Sequence, residues 1–282
     1  MSLPVSDQLL EQLMEEDVPY GDLTTDILGI GAMRGKIVFT TREPTVLCST
    51  EEAAAMLQKY GAVIRHVTPS GEHLRAGVDF LEAEGTAASL HAGWRLSLNL
   101  MEYMSGIATR TRKILDIAKE INPDISIATT RKSYPGLKKL AVKAVECGGA
   151  RPHRLGLSES VLIFRHHLVF FGDMENLCAD IGRIRREAPS MKLTIEVEDE
   201  TAALQAARAG FDIIQVDKME CAVLTGLVKK VRAENPAVMV AAAGGITEAN
   251  AAAYAATGAE ILVLSSVFFG KPSDIGVRIF PL

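Results

Sequence analysis

No apolar run in the 282-residue sequence approaches the roughly 18 residues that span a bilayer, and no basic start followed by an apolar stretch opens it. There is no basic excess either. A net charge of −5 argues against a general nucleic-acid or membrane-surface binder, whose electrostatic footprint is basic. A soluble cytoplasmic protein is expected. The four cysteines, Cys48, Cys147, Cys178 and Cys221, include no Cys-x-x-Cys pair, so neither a structural zinc site nor a redox pair is signalled, and buried free thiols are expected. His166-His167 does not read as a joint metal site, because neighbours on a strand or tight turn point to opposite sides.

What the sequence does have is enough apolar content, 48% against 23% charged, for one large domain with a buried core and a smaller one. Its most informative stretch runs from Thr129 to Gly136 and is followed by His153-Arg154. The apolar run Ile125 to Thr129 reads as a short buried strand, and Leu137 to Cys147 reads as a helix ending at Gly148-Gly149. Arg131 and Lys132 then sit at a strand's carboxyl end, which carries the ligand site in barrels and open parallel sheets alike. With His153 and Arg154, four groups that can be cationic point to an anionic substrate.

The arrangement repeats downstream. Leu193 to Val197 delivers Glu196 and Glu198, and Asp212 to Val216 delivers Asp217-Lys218. Val238 to Ala243 delivers Gly244-Gly245, and Glu260 to Leu264 delivers Ser265-Ser266. Helical patterns lie between them, at Met174–Glu187, Thr201–Ala209, Cys221–Glu234 and Thr247–Thr257. Strands alternating with helices imply parallel βαβ units, and their delivery points converge on one mouth if the units close into a barrel.

The first hundred residues have a different texture. Val5–Met14 reads as an amphipathic helix, followed by a turn-rich polar segment from Glu16 to Thr25. Lys36–Cys48, Val63–Thr68, Val78–Ala83 and Ala87–His91 read as strands, and Trp94–Ile121 as a long helical connector broken near Ser105-Gly106. A small mixed domain is implied. The methionines of the connector read as packing residues, and Arg95 has no obvious local partner.

Together these residues resemble the quinolinate phosphoribosyltransferase family of type II phosphoribosyltransferases, most closely its ModD branch, named for occurrence beside molybdate-transport genes. The matching motifs run in order from Glu16-Asp17 and Gly21-Asp22-Leu23-Thr24-Thr25 through Leu98-Asn99 and Ser105 to Thr109. They continue with Thr130-Arg131-Lys132, Pro135-Gly136-Leu137, Gly148-Gly149, His153 to Leu157, Glu196-Val197-Glu198, Asp217 and Gly244-Gly245-Ile246. No single motif is decisive, but the ordered set covers nearly the whole chain.

The resemblance implies an α/β fold: an incomplete α/β (TIM-like) barrel over residues 111–270, an N-terminal α/β sandwich domain over 1–110, and a segment 271–282 returning to it. It also implies a homodimer or higher homo-oligomer whose sites are completed across subunits, with Arg95 reaching into the neighbour. The substrates implied are phosphoribosyl pyrophosphate and a small anionic nitrogen heterocycle. By the same resemblance Arg131, His153 and Arg154 hold the acceptor's anionic groups, and Lys132 contacts donor or acceptor. Glu196 and Asp217 face the ribose and its Mg2+, while Gly244, Gly245, Ser265 and Ser266 receive the 5′-phosphate. The chemistry is consistent with those roles. Displacing pyrophosphate from an anomeric carbon builds positive charge on the ring and negative charge on the leaving group, so carboxylates belong near the sugar and cations near the phosphates.

Departures from the family pattern are informative. A leucine-isoleucine-lysine-aspartate-asparagine-histidine run is here Leu162 to His167, so the expected lysine is Phe164. Arg165 can restore its charge from the next position, though from the opposite face of the strand. A serine expected before Gly244 is Ala243, and a glycine in the last phosphate turn is Ser265. These changes put quinolinate itself in question as the acceptor, and decarboxylation follows only if the acceptor carries a second carboxylate. Glu196 could instead pair with Arg131 or Lys132 in a salt bridge at the barrel mouth. Two rival functions stay open: a barrel lyase with a Schiff base on Lys132 or Lys218, and a non-catalytic phosphometabolite-binding protein linked to molybdate transport.

Overall fold

The computed structural model describes residues 5–282. They group into two compact units. The first comprises the chain up to Arg112 with Ser133–Gly149 and Phe268–Leu282, and the second comprises Lys113–Lys132 and Ala150–Val267. Residues 133–149 thus group with the first unit, although the sequence places them inside the barrel segment.

In the first unit a four-stranded antiparallel sheet runs in the order β13 (Ile275–Pro281), β1 (Arg34–Thr41), β5 (Asp79–Thr86), β3 (Val63–Val67). Helices α3 (Thr50–Lys59) and α4 (Ala87–Ile121) supply the other apolar surface: Leu57, Leu90, Leu98 and Met101 bury against Ile37, Phe39, Phe80 and Leu81. Helix α1 (Asp7–Asp17) and the short α2 (Leu23–Ile27) precede the sheet. The α2 turn has no counterpart in the sequence reading; Asp22 caps it by accepting from the Thr24 N–H at 3.1 Å.

In this first unit three sequence expectations need correction. Lys36–Cys48 is interrupted: β1 ends at Thr41, and a two-residue strand β2 (Thr45–Val46) pairs instead with β4 (His73–Leu74). Ala87–His91 is not a strand but the first turns of α4. The hydroxyl oxygen of Thr86 accepts from the Ser89 N–H at 3.2 Å, satisfying a donor that a helix start leaves open. Nor is α4 broken near Ser105-Gly106; it runs 35 residues without interruption. Ser105 turns its hydroxyl to the Cys48 backbone, and Gly106 admits the Lys271–Ser273 backbone, so both mark close packing.

The second unit is a curled, all-parallel sheet of seven strands. Its order is β7 (Arg151–Pro152), β6 (Ser126–Thr129), β12 (Ile261–Leu264), β11 (Met239–Ala243), β10 (Ile213–Asp217), β9 (Leu193–Val197), β8 (Val161–Ile163). That sequence of neighbours is cyclic in chain order except between β7 and β8, where no pairing closes the ring. The result is an incomplete α/β barrel, as expected. Helices α7 (Met174–Glu187), α8 (Glu200–Ala209) and α9 (Cys221–Glu234) agree closely with the sequence reading. Asp173 and Asp199 cap α7 and α8 with side-chain acceptors. Helix α10 (Ala251–Ala255) is shorter than expected, because Asn250 accepts from the Thr247 N–H and donates to the Gly245 carbonyl, holding 247–250 in a turn. No helix among the described residues is long and apolar enough to cross a membrane.

Of the four thiols only Cys48 is buried outright; Cys147, Cys178 and Cys221 are half-buried. Cys48 and Cys147, far apart in sequence, act on each other in the first unit: burial and then Cys147 raise the Cys48 thiol, while Cys48 lowers the Cys147 thiol. Their spacing gives no hint of this.

Candidate active site

Because all seven strands run parallel, the residue after each one lies at the same rim. Thr130 to Lys132 follow β6, His153-Arg154 follow β7, and Phe164-Arg165 follow β8. Glu198 follows β9, Lys218 follows β10, Gly244-Gly245 follow β11, and Ser265-Ser266 follow β12. The rim is stitched by backbone bonds from Thr130 to the Leu264 carbonyl (3.0 Å), His153 to Thr129 (2.9 Å) and Lys218 to Ala243 (2.8 Å).

One pole is cationic. Arg131 is exposed and makes no ion pair with any described residue, and its charge acts repulsively on Arg154. Burial and that repulsion lower the Arg154 guanidinium from its ordinary value, while Glu159 acts in the other direction. His153 is half-buried; burial first, then the Arg154 charge, lowers its imidazole. It is therefore neutral at neutral pH, and the four candidate cations reduce to three. Like charges held together this way favour an anion between them.

Phe164 and Arg165 flank the seam between β7 and β8. The Arg154 guanidinium lies 5.3 Å from the Phe164 ring centre, and Phe164 stacks on His167 at 5.1 Å. Arg165 does not start from the opposite face of a strand. It is the first residue of α6 (Arg165–Phe171), for which Phe164 is the cap position. His166 and His167 lie on that same short helix, and His167 Nδ1 accepts from the Phe164 N–H at 3.0 Å.

The other pole is acidic. Glu196 and Asp217 are half-buried, on neighbouring strands β9 and β10. Burial and then the Asp217 charge raise the Glu196 carboxyl above its ordinary value. Glu198 adds to the rise, whereas a Gln215 hydrogen bond and the Lys132 charge oppose it. The bonded partner of Glu196 is Gln215, whose Nε2 lies 2.6 Å from Oε2; the salt bridge to Arg131 or Lys132 is not formed. Lys132 nevertheless acts on Glu196, so the cationic and acidic poles meet there. An all-oxygen donor set suits Mg2+, which takes one or two carboxylates and completes its shell with water and substrate phosphate. Among the described residues no group of three or more His, Cys, Asp or Glu could hold a metal, so substrate oxygens would have to complete the shell.

The phosphate side divides in two. Gly244 and Gly245 have φ of +86° and +72°, a left-handed conformation that glycine adopts without strain. A Cβ on Gly245 would meet nothing within 4 Å, leaving the backbone open to a ligand. The two serines are tied to the scaffold instead: Ser265 shares a 2.7 Å hydrogen bond with the Thr130 hydroxyl, and Ser266 donates to the Ile246 carbonyl at 2.8 Å. Arg95 lies in the first unit on α4, with its guanidinium stacked 3.9 Å from the Trp94 ring centre. Lys218, with φ +54°, has a side chain 77% exposed, and Lys132 is exposed too. Neither is desolvated as a Schiff-base lysine at neutral pH must be.

The sequence names Thr130 within the basic motif but not its role, and gives Gln215 no role at all. Thr130 organises the basic loop by accepting from the Lys132 N–H at 3.3 Å. Gln215 had a readable signal, being the one polar residue inside the apolar run Ile213 to Val216.

The description of the quinolinate phosphoribosyl transferase N-terminal domain matches residues 22–105, and that of its C-terminal domain matches residues 107–277. The chain is similar to the ModD protein of Rhodobacter capsulatus, 42% identical over 252 residues that cover 88% of this chain and 95% of the relative. It is also similar to ModD of Escherichia coli O157:H7, 32% identical over 277 residues and 98% of each chain. The nicotinate-nucleotide pyrophosphorylase structure from Francisella tularensis shares the fold at a TM-score of 0.89, with 22% identity over 98% of both chains.

Proposed function

The chain belongs to the quinolinate phosphoribosyl transferase family, and we propose that it transfers phosphoribose from phosphoribosyl pyrophosphate to an anionic nitrogen heterocycle, releasing pyrophosphate. The observation that carries this reading is the bipolar rim: Arg131, His153 and Arg154 on one side, Glu196 and Asp217 on the other, with Lys132 between them. Such a site matches the charge separation of the reaction, in which a cationic ring forms between two anionic partners.

Arg131 and Arg154 offer planar guanidinium forks to the acceptor's carboxylate, which holds the attacking nitrogen in place. Neutral His153 supplies a hydrogen bond to the acceptor without adding charge. Glu196 and Asp217 face the ribose and stabilise positive charge as the glycosidic bond breaks. The same two carboxylates would hold Mg2+, which supplies neutralisation of the pyrophosphate charge. The Gly244-Gly245 backbone receives the 5′-phosphate. Phe164, placed where the family pattern has lysine, makes the acceptor space less cationic and more apolar, which favours a heterocycle with a single carboxylate over quinolinate. Completion of the site by Arg95 of a second copy belongs to the same reading.

Titration calorimetry with phosphoribosyl pyrophosphate and Mg2+, followed by pyrophosphate release across mono- and dicarboxylate heterocycles, tests the proposal. The expected result is donor binding, with turnover on at least one monocarboxylate. Absence of donor binding at millimolar concentration overturns it. Donor binding with background release on every acceptor would support a binding protein instead.

A further inference from the structure

Gln215 is 5% exposed in the interior of an otherwise apolar strand. Its register partners are Glu196 on β9 and Ala241 on β11. Side chains two residues apart share a face, so Gln215 faces the same way as Ile213, which packs against Ala128, Ala241, Ala243 and Val263. A polar side chain among methyl groups has few partners, and Gln215 has one. Its Nε2 donates to Glu196 Oε2 at 2.6 Å, while its own Oε1 is buried with no hydrogen-bond partner.

A buried acceptor left without a partner costs the fold, and an apolar residue of similar length would avoid that cost. The amide cannot be turned to exchange its atoms, because Oε1 would then face the carboxylate oxygen. Gln215 is thus held in an orientation that serves Glu196 at its own expense. With Oε2 occupied by the amide, the other oxygen of the carboxylate, Oε1, is the one left to meet a ligand.

We propose that Gln215 is a positioning residue: it clamps one oxygen of Glu196 so that the carboxylate presents its other oxygen, singly and in a fixed direction, to the ribose or its cation. This rests on the phosphoribosyl reading of the site and deepens it. A carboxylate free to rotate loses orientation each time it binds, whereas one locked by a buried amide does not.

The test is a double-mutant cycle on donor affinity, measured by calorimetry with phosphoribosyl pyrophosphate and Mg2+, using Gln215→Met, Glu196→Ala and the pair. Gln215→Met should weaken donor binding about tenfold in the wild-type background, the loss of one charge-assisted hydrogen bond. It should have no further effect once Glu196 is alanine. Its thermal midpoint, measured without ligand, should not fall; Gln215→Leu serves as a second apolar variant should methionine pack poorly. A purely structural glutamine gives the opposite pattern, with lowered midpoints and penalties that multiply across the cycle. That pattern, or unchanged donor affinity in Gln215→Met beside normal wild-type binding, overturns the inference alone. Failure of the wild-type chain to bind donor overturns the phosphoribosyl reading and the inference with it.

Discussion

Gly244 lies so close to Asp217 that a methyl group on its α-carbon would sit 2.5 Å from the carboxylate oxygen Oδ1 and equally near Lys218 Cγ. Its φ of +86° adds strain for any residue with a Cβ. Gly244→Ala is expected to cost about 1–2 kcal/mol of stability and to displace Asp217. Donor affinity should fall by an order of magnitude or more, whereas Gly245→Ala, with open space around it, should incur only the backbone strain. Denaturant melts and donor titration of both variants distinguish the two glycines.

Lys143 stands against two carboxylates in the first unit, 2.8 Å from Glu51 and 2.7 Å from the buried Glu52. Burial works against ionising Glu51, yet the Lys143 and Ser70 hydrogen bonds bring its carboxyl down to about 2. A depressed carboxylate contributes stability above its unfolded value of 4.5, and that contribution drains away as pH falls toward 2. Lys143→Met leaves Glu52 buried and unpaired, an expected loss of about 3 kcal/mol. Adding Glu52→Gln should recover part of it in the same melts.

The lowered imidazole of His153 ties stability to pH in the acid range. Below its ordinary value of 6.5 the unfolded chain takes up the proton first, so stability falls with pH until the folded imidazole also titrates, then levels. An anion bound beside Arg131 and Arg154 should offset the charge part of that lowering and leave the burial part in place. In an NMR titration the His153 ring is expected to protonate below a free histidine without ligand, and at higher pH once a carboxylate heterocycle is bound.

Phe164→Lys restores the charge found in the family pattern. It removes the stack on His167 and the face beneath Arg154, a loss of about 1 kcal/mol. Acceptor preference should move toward a pyridine dicarboxylate by about tenfold relative to a monocarboxylate, the worth of one added charge-assisted hydrogen bond. Competition between the two acceptors reads the change directly.

Five of the seven barrel strands, β6 and β9 to β12, were legible because parallel strands buried on both faces appear as short apolar runs, and the residue after each run falls at the rim; β7 and β8, two and three residues long, are too short to form such a run. Helices α7 and α9 were legible in full because their apolar spacing has nothing to compete with it. Ala87–His91 was misread for want of its cap: Thr86 decides the helix start, and a threonine at a strand's end looks the same in either role. Ser105-Gly106 was misread because small residues that admit a neighbouring backbone resemble a break. Arg165 was assigned to a strand because three residues of β8 are too few to mark where α6 begins. Gln215 was passed over inside an apolar run, since nothing in the sequence says that its carbonyl would be left without a partner.

The barrel interior around Gln215 is floored by alanines, and each of these contributes only a methyl group to the wall. Single replacements such as Ala241→Val or Ala128→Ser would therefore change the packing of this buried wall by one or two atoms without altering a strand.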